Sequence, residues 1–156
     1  MHLSNFLVTL AALAPLASAT GKAIVKNNCK DPVYLWSVGG SVGPKQTIKP
    51  GESYSEVFRR DPASGGISLK ITTGENGLYD GSPQMNFAYT LDGNRVWYDL
   101  SDVFGDPFAG TTASVKPSDG SCRSICWANG VSPGGSQVKD CQANSDETLT
   151  LCANGC

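Results

Sequence analysis

Histidine is all but absent from this chain, and the single one, His2, lies in an N-terminal stretch expected to be removed. A serine or cysteine nucleophile working near neutral pH needs an imidazole to take its proton. Ser-His-Asp and Cys-His chemistry is therefore excluded from the remaining chain, as are zinc hydrolase sites built on histidine. Any catalysis falls to Asp, Glu, Lys or Tyr. An excess of one charge is missing too. Twelve Lys and Arg stand against 14 Asp and Glu, and Arg59-Arg60 is the only pair of adjacent basic residues. A nucleic-acid binder usually carries a basic face, so no nucleic-acid partner is expected. No Asn-x-Ser/Thr acceptor occurs, so N-glycosylation is not expected. No segment shows a sustained helical period between caps, no motif for a cofactor is found, and no cofactor is expected.

One long apolar run is present, Phe6 to Leu16, closed by Ala17-Ser18-Ala19. This is the pattern of a secretory signal peptide with a small-residue cleavage site, and it is too short to span a bilayer. The expected division is a signal peptide over residues 1–19 and a single domain over residues 20–156, with a cysteine-rich segment from 122 to 156. No later stretch approaches membrane-spanning length, so membrane insertion is not expected. The product is expected outside the cell, either free or held to the wall without a covalent anchor.

Glycines and prolines punctuate short apolar runs along the rest of the chain. Strands are expected at Gly21–Val25, Val33–Val38, Tyr54–Phe58, Ile67–Thr72, Gln84–Leu91, Arg95–Leu100, Ser136–Lys139 and Thr148–Leu151. Ile67 to Thr72 alternates strictly, and Met85, Phe87, Tyr89 and Leu91 fall on one side of the next run. Such alternation gives a strand one buried and one wet face. Lys49-Pro50-Gly51-Glu52 suits a type II turn, and Asp92-Gly93 a hairpin turn. Gly110 to Gly120 reads as the loosest stretch. The fold class is all-β, an antiparallel β-sandwich stabilised by disulfides. Five of the six cysteines, Cys122, Cys126, Cys141, Cys152 and Cys156, lie near the C-terminus, and Cys29 stands alone near the start. Cys122/Cys126 and Cys152/Cys156 have the close spacing that a structural zinc could use. An even count in an oxidising compartment points instead to three disulfides and no metal, with fifteen pairings open.

The stretch Ala23-Ile24-Val25-Lys26-Asn27-Asn28-Cys29, followed by Val33-Tyr34-Leu35-Trp36, resembles the opening of thaumatin-like proteins. So does Trp97-Tyr98-Asp99-Leu100-Ser101 with Gly105 and Phe108. Gly134-Gly135-Ser136-Gln137-Val138-Lys139-Asp140-Cys141 and Glu147-Thr148-Leu149-Thr150-Leu151-Cys152 are similar to the small secreted fungal branch, the Blastomyces yeast-phase-specific or antigenic thaumatin-like family. The resemblance implies a β-sandwich in which Cys29 pairs with Cys152. It implies an extracellular or wall-associated protein, often antigenic and linked to germination or host contact, with no established enzymatic activity in most members. Larger thaumatin-like proteins carry an acidic cleft of one Arg, one Glu and three Asp. By resemblance Asp99 matches one of these aspartates, while Phe104 stands for a second, Asn86 for the glutamate and Lys70 for the arginine.

Two sets of residues carry candidate chemistry. Asp99, Asp102 and Asp106 cluster after a strand, and Asp99 with Asp102 or Asp106, as an acid and a nucleophile or base, would make a weak glycan hydrolase. Aspartates also favour strand ends for their local hydrogen bonds, and that reading is the stronger. Among the aromatics, Trp36 and Trp97 lie in apolar strands and are expected to be buried. Trp127, beside Asn129-Gly130 in a polar, glycine-rich stretch, is expected to be the exposed ring, so Trp127 and Asn129 are the candidate ligand-binding residues. The leading functional expectation is a non-enzymatic wall protein whose partner is a polysaccharide. An antigen or effector directed at a host surface protein is the alternative.

Overall fold

The computed structural model describes residues 18–156. The expected signal peptide therefore lies outside the described residues but for Ser18 and Ala19. The described chain is all-β, without a helix. Its strands are β1 (Lys22–Asn27), β2 (Val33–Val38), β3 (Gln46–Ile48), β4 (Ser53–Val57), β5 (Ile67–Thr72), β6 (Gln84–Asp92), β7 (Arg95–Val103), β8 (Thr112–Pro117), β9 (Ile125–Trp127), β10 (Lys139–Gln142) and β11 (Glu147–Ala153). They form a five-stranded sheet in the order β4-β1-β11-β8-β9 and a six-stranded sheet in the order β10-β7-β6-β5-β2-β3. One pairing is parallel: the first strand, β1, lies beside the last, β11, with Ala23 opposite Glu147 and Asn27 opposite Leu151.

Alternation of side chains builds the core. Ile67, Leu69 and Ile71 of β5, Met85, Phe87 and Tyr89 of β6, and Val96, Tyr98 and Leu100 of β7 all turn inward and are buried. Ala23, Val25, Ala113, Val115, Leu149 and Leu151 meet them from the other sheet, in one continuous cluster. Two turns close as their residue types require. Glu52 N donates to Lys49 O across Pro50-Gly51, with Gly51 at φ 81°, as a type II turn demands. Gly93-Asn94 links β6 to β7 with Gly93 alone of the two at positive φ, the II′ pattern that matches strand twist.

The structure corrects the strand reading in the C-terminal half. Gly110–Gly120 is not loose: it contains β8, which lies between β11 and β9 with Ala113, Ser114 and Val115 buried. Ala113 and Ser114 carry little β-propensity or hydrophobic signal, which leaves Val115 as a lone large apolar residue and hides this strand. The strand expected at Ser136–Lys139 starts instead at Lys139, where the ladder to β7 begins opposite Tyr98. The short strands β3 and β9 also escape the pattern.

Three disulfides join Cys29 to Cys152, Cys122 to Cys141, and Cys126 to Cys156, and no cysteine is free. The first ties the ends of β1 and β11. Buried Asn27 holds that corner: its Nδ2 donates to Asp31 O at 2.9 Å and Ile48 O at 2.8 Å, and its Oδ1 accepts from Cys29 N at 2.9 Å. With both donors and the oxygen engaged, this buried amide positions the cysteine at little desolvation cost.

Candidate functional site

The outer face of the six-stranded sheet gathers the polar residues of β5, β6 and β7. The same alternation that buries Val96, Tyr98 and Leu100 turns Trp97, Asp99 and Ser101 outward. The ladder sets Lys70 opposite Asn86, Asn86 opposite Ser101, Ala88 opposite Asp99, and Thr90 opposite Trp97. Directly paired residues share a face of the sheet, so Lys70, Asn86, Asp99 and Ser101 form one polar patch. Gln84 Nε2 donates to Asn86 Oδ1 at 2.7 Å and fixes that amide. Beside the patch is a shallow groove of about 120 Å³ lined by Ala88, Thr90, Trp97, Asp99 and Val138. Asp99 is half-buried there, with Oδ1 shut off from solvent and without a hydrogen-bond partner.

Trp97 is 45% exposed, which corrects the expectation of burial. Its run of apolar neighbours marks a strand, but period-two alternation gives the core to Val96 and Tyr98 and leaves the indole outside. Trp36 is buried, on the outer face but covered, with the Tyr79 ring edge-on at 6.3 Å between centroids. Trp127, the expected exposed ring, is 2% exposed and belongs to the core. The reason is β9: Ile125 and Trp127 point inward, Trp127 sits opposite Ala113, and the indole Nε1 donates to Gln137 Oε1 at 3.4 Å. Asn129 stays exposed, one residue before Gly130. At Gly130, φ is 63° and a Cβ would fall 2.1 Å from Phe108 O, so only glycine fits. Trp127 and Asn129 therefore do not form a common binding surface.

The three aspartates divide. Asp99 faces outward, whereas Asp102, three residues on, falls on the opposite side of β7, beside buried Met85. Both carboxyl oxygens of Asp102 are buried and without a hydrogen-bond partner, with the Asp106 carboxyl close by. Burial, reinforced by the Asp106 carboxyl, pushes Asp102 up to about 8. Asp106 accepts from Ser132 N at 3.3 Å, which ties down the loop before β10. Asp99 and Asp102 lie on opposite faces of β7 and so do not flank a common space, as a glycosidase pair must. The Asp99–Asp102 pair of the enzymatic reading is therefore not assembled.

Phe104 lies past the end of β7, 74% exposed and in the left-handed region at φ 62°. The residues placed by resemblance at the cleft positions thus bring together Lys70, Asn86 and Asp99, with Phe104 apart at the rim. Of the four matched positions, only Asp99 keeps a carboxylate and only Lys70 a cation; the Arg95–Asp140 ion pair lies further along the same face, with Asp140 opposite Trp97.

The chain matches the family described as Blastomyces yeast-phase-specific protein over residues 10–153. It is 37% identical to an antigenic thaumatin-like protein of Arthroderma benhamiae, across 99% of this chain and 86% of that one. It is 31% identical to the secreted thaumatin-like protein calA of Emericella nidulans, across 96% of this chain and 97% of that one. Among solved structures it is similar to the protein elicitor MoHrip2 from Magnaporthe oryzae, with a TM-score of 0.71 and 29% identity over 85% of this chain and 99% of that one. The thaumatin-like xylanase inhibitor TLXI shares the fold, with a TM-score of 0.57 and 16% identity over 84% of this chain and 99% of that one. The chain belongs to the Blastomyces yeast-phase-specific protein family, a thaumatin-like β-sandwich.

Proposed function

We propose that this secreted thaumatin-like protein is a non-enzymatic module that binds extracellular polysaccharide on the outer face of its six-stranded sheet. The observation that carries the reading is the exposed Trp97 beside half-buried Asp99 in one groove. An indole face covers the apolar face of a pyranose, and a carboxylate beside it takes the ring hydroxyls. Half-buried Ser101 and Lys70, on either side of buried Asn86, extend the row of hydrogen-bonding groups along the sheet. The division into a signal peptide over residues 1–19 and one domain over 20–156 belongs to the same reading. The three closed disulfides support it, because such bridges persist in oxidising, extracellular settings.

The test is retention of the oxidised domain on insoluble chitin, β-glucan and mannan, with reducing sugar measured in the same tubes. Retention without released sugar is expected. Sugar release that disappears in Asp99→Asn would overturn the non-enzymatic reading. A second reading, a protein-directed elicitor acting on a host surface, is favoured by the likeness to MoHrip2. It predicts no retention on any of the three polymers, together with a response of host cells to the purified protein.

A further inference from the structure

Glu147 is fully buried, and neither of its carboxylate oxygens has a hydrogen-bond partner. It opens β11, opposite Ala23 of β1 on one side and Pro117 of β8 on the other. The groups that face it are acidic or neutral. The Tyr98 phenol reaches it from β7 but donates its proton to Arg123 O. Asp119, just beyond β8, and Asp146, just before β11, add negative charge. The Ser145 hydroxyl nearby is engaged with Ser118 Oγ, Asp119 N and Asp146 O. Lys22 and Lys116, the neighbours of Ala23 and Pro117, are exposed, and no Lys or Arg among the described residues forms an ion pair with Glu147. A charge buried without a partner is among the costliest groups a fold can contain. Burial pushes this carboxyl up to about 8; the nearby Ser145 hydroxyl works against the rise, and the Asp146 and Asp119 charges add to it.

We propose that Glu147 is an acid-dependent latch: protonated, it seals the seam where β1, β8 and β11 meet, and once ionised it loosens that seam. The residues that seat the start of β1 lie beside it. Lys22 N donates to Asp146 Oδ1 at 2.8 Å, Gly21 N to Ala143 O at 2.7 Å, and Asp146 N to Ser118 Oγ at 2.8 Å. An ionised Glu147 repels Asp146 and Asp119 and so strains these anchors. The latch is separate from the outer-face groove and does not depend on what that groove binds.

The sign follows from linkage. From the ordinary glutamate range up to about 8, the native state keeps a proton that the unfolded chain releases. Stability is therefore greatest in acid and falls as pH rises through that window. The experiment is thermal unfolding of the wild type and Glu147→Gln across that window. The wild-type midpoint should fall by several degrees, and Glu147→Gln, which carries no ionisable group, should fall less and finish above the wild type at the alkaline end. Parallel curves for the two proteins would overturn the proposal. A second measurement stands even where Glu147→Gln does not fold. In an Asp102→Asn background, which removes the other raised carboxyl, infrared spectroscopy should show a protonated buried carboxyl in acid that is lost on going alkaline. Absence of that band in the folded protein in mild acid would contradict the latch.

Discussion

In β5, β6 and β7 every second side chain is a large apolar group buried in the core, from Ile67 through Leu100. Between Cys122 and Cys156 the large buried side chains are few, and each of the three disulfides has at least one end there. The first region is held by what it removes from water, the second by covalent closure. The difference bears on function. A strand locked by its inner face is free to vary its outer face, and the outer face of β5–β7 carries Lys70, Asn86, Trp97, Asp99 and Ser101. The C-terminal segment turns its one large ring, Trp127, inward to supplement a sparse core.

The largest effect that tests this contrast is removal of Cys29–Cys152. Its ends lie 123 residues apart, and the double change to serine should cost about 5 kcal/mol in the chain-entropy model, read by urea unfolding. Cys122–Cys141, with a separation of 19, should cost less, about 3 kcal/mol. Equal losses would show that these bridges act through native contacts rather than loop length. In the apolar region Phe87→Ala should cost roughly 3–5 kcal/mol, because Phe87 is wholly buried and a cavity would remain.

A smaller effect is electrostatic and belongs to the end of β7. The Asp102 carboxyl, raised to about 8 by burial and by Asp106, holds a proton in the native state that the unfolded chain releases above the usual aspartate range. It stabilises the fold in acid, and that contribution is lost as pH rises through about 8. Asp102→Asn should flatten the fall of the unfolding midpoint over this window. A slope unchanged from the wild type would show that Asp102 is ionised throughout.

Legibility in the sequence follows the same contrast. Alternation makes β5 and β6 legible, and β2 is legible from its apolar run Val33-Tyr34-Leu35-Trp36. In β7 the strand was readable but its faces were misassigned. The apolar neighbours of Trp97 suggest burial, whereas the period of Val96, Tyr98 and Leu100 places it outside. The strands β8 and β9 were hidden because Ala113, Ser114 and Val115 are small and because Trp127 stands among glycines and polar residues. Their burial is imposed by the strands beside them and by the bridges from Cys122, Cys126 and Cys141, which no local pattern encodes. The polar patch was legible only in part. Lys70, Asn86 and Asp99 were found through resemblance, but their adjacency comes from the register of β5, β6 and β7. The buried state of Glu147 had no local signal, since the residue sits at the polar start of a strand.

The smallest effect on stability decides the central claim. Trp97 is exposed, so Trp97→Ala should change unfolding free energy by no more than roughly 0.5 kcal/mol. The decisive measurement is the affinity of wild type and Trp97→Ala for the polysaccharide that retains the wild type, at matched folding. The account predicts about a tenfold loss or more, equivalent to roughly 1.4 kcal/mol, with the melting midpoint unmoved. Undiminished affinity in a folded Trp97→Ala protein would contradict it and place the binding surface elsewhere.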